Sequence, residues 1–188
     1  MPVDVAVGQL IRSANVGDGA AADQLFAVLY RELHAIAERQ LRGNAGELTL
    51  GTTTLLHEAY LNIADREGLH FASRGQFLTY AARSMRGLLI DYVRQRRAKK
   101  RGGEFQITSS GVENAPARDE AGEDLVPLGE ALDALSGVDP ELSQLVDLHF
   151  FCGFTFAEVA ELRGVSERTV QRDWRKARLL LHRTMQDT

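Results

Sequence analysis

The sequence predicts an all-α fold of two small helical domains joined by a flexible linker, the second domain built around a helix-turn-helix. Three observations carry that expectation. Leu, Ala, Glu and Arg are abundant while strand-like Val/Ile/Thr alternation is scarce, and only four prolines interrupt the 188 residues. Apolar residues recur at spacings of three and four on either side of the middle of the chain. From Gly102 to about Asp124 that periodicity stops, and Gly, Ser and short polar or acidic residues take over. The expected boundaries are 1–101, a flexible acidic linker at 102–124, and 125–188. A chain of this length can bury a core as one domain or as two.

After a polar start, a helix is expected to open near Asp18 or Ala22 and to close at Gly43. Leu25, Leu29, Leu33, Ile36, Ala37 and Leu41 form its inner face. The turn-rich GNAGELTLG leads into TTTLLHEAYLNIADREG, where Leu55, Leu56, Ala59, Tyr60 and Ile63 can pack. His57, Glu58, Leu61 and Asn62 lie at or near the border of that face, and Gly68 ends the helix. Ser73 or its loop starts a long helix with Leu78, Ala81, Met85, Leu88, Leu89 and Val93 as its buried stripe. Arg83, Arg86, Arg94 and Arg97 share the opposite face, with Phe71, Phe77, Tyr80 and Tyr92 interleaved.

Beyond the linker, LVPLGEALDALSGV gives a helix with Leu128, Ala131, Leu132 and Leu135 facing inward. Asp139 caps the next one, with Pro140 in its first turn and Leu142, Leu145, Val146 and His149 leading towards Gly153. Thr155 and Glu158 form a capping box, since hydroxyl and carboxylate can each satisfy a free amide at the helix start. Val159, Ala160 and Leu162 give that short helix an apolar face. Gly164 permits a sharp turn, and Ser166 caps the last helix. There Val170, Trp174, Ala177 and Leu181 fall on one side, Arg168, Gln171, Arg172, Arg175 and Lys176 on the other. Five long polar or cationic side chains behind a doubly capped turn favour a DNA-reading helix over a hairpin that merely faces water.

Few sequence features support catalysis. There is no nucleophile elbow, phosphate-binding glycine loop or catalytic carboxylate pair. His34, His57, Glu58 and His70 invite a metal-dependent hydrolase reading, but Leu61 occupies the place where a zinc helix needs its second histidine. No metal, cofactor or enzymatic activity is therefore expected. The single cysteine, Cys152, is expected to act as a packed small hydrophobe. No apolar run is long enough to cross a membrane, and MPVDVAVGQLIRSA lacks a basic region ahead of an apolar core, so a cytoplasmic protein without membrane insertion is expected.

The net charge of −4 would argue against a nucleic-acid partner if it were evenly spread. It is segregated instead. Arg94, Arg96, Arg97, Lys99, Lys100 and Arg101 form a block without an acid, whereas the linker is acidic. A cationic face with aromatic neighbours suits a single strand, phosphates on the cations and unstacked bases on the rings. The same residues also fit a helix end whose Phe77 and Tyr92 are core and whose cations complement the dipole. Residue chemistry alone leaves those two readings level.

The motifs HEAYLNI, FLTYAARSMRGLLIDYVRQRRAKKRGG and LVDLHFFCGFTFAEVAELRGVSERTVQRDWRKAR, in that order, carry a match that covers nearly all of the chain. Together they resemble the extracytoplasmic-function (ECF) group of the sigma-70 family, in a divergent subgroup. The resemblance implies sigma domain 2, a linker and sigma domain 4. It also implies an alternative sigma factor that binds core RNA polymerase and directs promoter-specific initiation. Leu55, His57, Glu58, Leu61 and Asn62 match the surface that docks on the clamp helices of the β′ subunit, with Thr54 where aspartate is common and His57 where glutamine is common. Phe71, Tyr80, Arg83, Ser84, Arg86, Arg94 and Arg97 match the element that opens and holds the downstream (−10) box, Arg83 and Ser84 at the edge that reads a flipped base. Arg168, Gln171, Arg172, Arg175 and Lys176 match the contacts to the upstream (−35) box in duplex form. Promoter DNA and core polymerase are the implied partners, with an anti-sigma factor as a further one. The competing reading is a stand-alone helix-turn-helix regulator on its own operator. A symmetric dimer would need a spare apolar helix, and the sequence offers none.

Overall fold

The computed structural model of the protein describes residues 2–42, 50–66, 68–102 and 125–187. Every regular element among them is helical. Of the linker expected at 102–124, Gly102 still belongs to a helix, and residues 103–124, like Gly43 as a helix stop, lie outside the described residues.

The N-terminal half contains five helices: α1 (Pro2–Asn15), α2 (Gly19–Val28), α3 (Tyr30–Arg42), α4 (Thr52–Ala64) and α5 (Arg74–Gly102). Helix α1 corrects the expectation of a polar start. Its Val7 and Ile11, one turn apart, are buried against the core, and Gly17 in the left-handed region (φ 89°) turns the chain after it. Asp18 then caps α2, its carboxylate accepting from the amide of Ala21 at 3.2 Å. The single helix expected from there to Gly43 is divided at Leu29 (φ −92°, ψ 7°). The Leu29 side chain is nevertheless buried, along with Leu25, Leu33 and Ile36, so the apolar face runs through the break.

Helix α5 is the spine of the molecule. Ser73 Oγ accepts from the amide of Gln76 (3.2 Å), while the Gln76 side chain accepts from the amide of Ala72 (2.8 Å), which fixes the start. Phe77, Leu78, Ala81, Ala82, Met85, Leu89 and Val93 are all buried. That stripe is too wide for one neighbour. α5 packs against α3 and α4 and also against helices of the C-terminal half.

The C-terminal half comprises α6 (Leu125–Val138), α7 (Pro140–Val146) continuing into a π-helical turn (Asp147–Phe151), α8 (Phe156–Arg163) and α9 (Glu167–Gln186). One apolar cluster runs through both halves, taking in Leu33, Met85 and Leu89 as well as Leu132, Leu135 and Ala177. A smaller cluster of Leu145, Leu148, Val159, Ala160 and Val170 sits inside the helix-turn-helix. His149 closes it, stacked on Phe156 at 4.2 Å and edge-on to Trp174 at 4.7 Å. Because a carbonyl can only accept, His149 Nδ1 carries the proton it donates to Phe154 O (2.7 Å). Leu162, expected on the inner face of α8, is instead exposed to 46 %, with its tip beside Gly75 at the start of α5.

Candidate nucleic-acid interface

The helix-turn-helix forms from local chemistry. Thr155 Oγ1 accepts from the Glu158 amide (3.2 Å), and Glu158 Oε2 accepts from the Thr155 amide (2.7 Å), completing the reciprocal cap. The Thr155 backbone bond, then its hydroxyl, hold the Glu158 carboxyl below its ordinary range. Gly164 ends α8 in the left-handed conformation (φ 64°, ψ 33°), and Ser166 restarts the chain as the cap of α9, accepting from Thr169 N at 3.1 Å. The two helices are thus fixed within a turn of three residues.

Burial of Val170, Ala177 and Leu181 orients α9. Arg168, Arg172, Arg175 and Lys176 are exposed, and Gln171 is half-buried at their edge. Their surroundings differ. Arg172 is free to reach outward, its nearest acid being Asp173 at 3.4 Å. Gln171 Nε2 donates to Glu167 Oε1 one turn back (3.1 Å), and Lys176 Nζ donates to Asp139 Oδ2 (3.1 Å). The Lys176 bond, followed by the amide of Leu142, holds the Asp139 carboxyl below its ordinary range. Arg163 lies behind this face, paired with Glu141 (2.9 Å) and Asp173 (3.6 Å).

The face expected on α5 is arranged differently. Phe71 and Tyr80 are brought together, ring centroids 5.4 Å apart and edge-on, with Phe77 buried behind them. Asn15, which the sequence offered no reason to single out, pins Phe71. Its Oδ1 accepts from the Phe71 amide and its Nδ2 donates to the Phe71 carbonyl, both at 2.9 Å. The Tyr80 hydroxyl accepts from Arg66 (3.1 Å). Ser84 is half-buried.

The cations of α5 do not form an open stripe. Arg86, expected on the solvent face, is 6 % exposed and donates to Asp147 Oδ1 at 2.6 Å, its guanidinium 4.9 Å from the centre of the Phe151 ring. Arg83 donates through Nε to Asp147 Oδ2 and through Nη2 to Ser143 Oγ (3.3 Å). Arg94 pairs with Glu130 at 3.1 Å. The side chain of Arg97 lies outside those described. The roles of Asp147 and Glu130 are not legible in the sequence because they depend on the packing of the two halves. The only hint was an acid inside the apolar run LVDLHFF, where a buried carboxylate needs a cation.

On α4, His57, Glu58, Leu61 and Asn62 are exposed together. Leu55, expected among them, is completely buried and belongs to the core, because it falls on the inner face of α4 with Leu56 and Ala59. Among the described residues, no group of three or more His, Cys, Asp or Glu is placed to hold a metal ion, and no helix is long and apolar enough to cross a membrane.

A family model described as ECF sigma factor matches residues 4–187. No curated protein matches the chain.

Proposed function

The chain belongs to the ECF sigma factor family, and from that premise we propose how an alternative sigma factor for transcription initiation divides its work between its two ends. On this reading residues 125–188 bind the upstream box as duplex. Arg168, Gln171, Arg172, Arg175 and Lys176 enter the major groove, where an arginine can bond two acceptors of guanine and a glutamine can bond adenine. Residues 1–101 dock on core polymerase through His57, Glu58, Leu61 and Asn62. They hold the melted downstream box on Phe71, Tyr80, Arg83, Ser84, Arg86, Arg94 and Arg97. Unstacking DNA costs a few kcal/mol, which stacking on rings and pairing with cations can offset, so no nucleotide-hydrolysing site is required.

The observation that carries the reading is the α9 face: four exposed cations and a glutamine on a helix aimed by a left-handed glycine turn and two side-chain caps. Among the described residues, the acids paired with this face are Asp173 and Asp139. Lys176 and Arg172 are themselves exposed and each meets a single half-buried acid, a contact that a DNA phosphate can replace. The test is transcription by purified core polymerase on a promoter library, with and without this chain. Promoter-selective initiation that depends on both is expected. Failure to bind core polymerase would overturn the reading, whatever the affinity for DNA.

A further inference from the structure

We propose that the cationic face of α5 is a shared site, filled in the free chain by two acids of the C-terminal half, Asp147 and Glu130, and opened to promoter DNA only when the halves part. The proposal rests on the reading above that this face binds the melted strand.

Three cations of one helix face each meet a carboxylate from the other half: Arg83 and Arg86 meet Asp147, and Arg94 meets Glu130. A guanidinium takes a carboxylate or a phosphate with the same fork of N–H donors, so the acids stand where phosphate oxygens would. The two contacts are unequal. Glu130 and Arg94 are each half in water, and such a pair holds little. Asp147 is fully buried, with both oxygens engaged, Ser143 bonded to the same Arg83 and Phe151 against Arg86. A charge buried that deeply stays only while its partners stay.

Smaller contacts fit the halves around it. The Cys152 thiol donates to Leu78 O at 3.6 Å, and Leu162 lies beside Gly75. Gly129 of α6 lies so close to α5 that a Cβ there would overlap Cδ1 of Ile90. With these contacts made, DNA has no route to the Arg86 guanidinium. Docking on polymerase would therefore have to separate the halves, and separation would uncover the strand-binding face. The apparent affinity of the free chain for a single strand is then its open-form affinity reduced by the open fraction.

The experiment uses the full chain, a fluorescent single-stranded oligothymidylate and small-angle scattering. Asp147→Asn keeps the shape and removes the charge; Gly129→Leu wedges α6 off α5 without touching a charged group. Both variants should expand and should bind the oligonucleotide about tenfold more tightly or better than the parent, as expected if the open fraction starts at about a tenth or less. Adding Arg86→Ala to either should abolish the gain. Expansion without tighter binding, or neither change in either variant, would overturn the proposal. Open-complex formation by polymerase carrying Arg83→Ala or Arg86→Ala separates the two ideas. If those holoenzymes melt promoters normally, the strand-binding reading of α5 is wrong. If they fail while Asp147→Asn and Gly129→Leu bind no better, only the masking is wrong.

Discussion

Replacing Arg172 by alanine separates recognition from stability more cleanly than any other change on the α9 face. Its side chain is 76 % exposed, and its one acid neighbour, Asp173, is held independently by Arg163. Truncation removes no packing and leaves no buried charge, so the stability change should stay within about 0.5 kcal/mol. For a chain of this size that is about 1–2 °C in melting temperature. A good guanidinium contact to a base, by contrast, discriminates by about 1–3 kcal/mol. At 1.4 kcal/mol per factor of ten, that is about 5- to 140-fold. The assay is initiation by reconstituted holoenzyme on a library randomised in the upstream box, with thermal unfolding of the free chain as the control. Arg172→Ala should flatten the preference at one position of that box and leave the downstream-box preferences alone. An unchanged profile would refute base contact by Arg172. Uniform weakening across every promoter would make it a phosphate contact instead.

Lys176→Ala should lower DNA affinity evenly across sequences and reduce the salt slope by about one, as for a lost phosphate contact. It should also let the Asp139 carboxyl rise towards its ordinary 3.8, read by NMR titration. Because folding lowers that value, the Lys176–Asp139 contribution is fully present above pH 3.8 and is lost as pH falls through the depressed one, so parent and variant should converge in acid. Thr155→Ala removes the cap hydroxyl of α8 and should cost about 1 kcal/mol in urea unfolding. Only part of the depression of Glu158 should vanish, since its largest cause is the backbone amide of residue 155, which remains. Burial first, and Asp147 second, push the Cys152 thiol up to about 12, so native alkylation at neutral pH should be far slower than in urea. Gly129→Leu, which leaves Asp147 in place, should speed that alkylation if it parts the halves, and an unchanged rate would mean the thiol stays covered.

The elements legible in advance are those whose causes lie within a few residues. Thr155 with Glu158, Gly164, Ser166, and Asp139 with Pro140 have the residue types of caps and turns, and each forms one. Each device satisfies free backbone groups with a neighbour three or four positions away, so no tertiary contact is needed to recognise it. The inner face of α9 was legible for the same reason, its period being that of the helix. Helix α1 is not legible in the sequence although Val7, Leu10 and Ile11 have helical spacing, because a short, Gly-containing segment becomes a helix mainly by docking.

Sequence alone therefore determined the all-helical class, the helix-turn-helix and the outward set Arg168, Arg172, Arg175 and Lys176, since period and capping decide these locally. Tertiary structure decided which polar side chains are available. Leu55 turned into the core, Leu162 turned out of it, and Arg83, Arg86 and Arg94 acquired carboxylates from residues 36–64 positions away. The physical reason is that helical period ranks the faces of one helix against water. It does not say which helix, or which buried acid, will lie against the second face of α5.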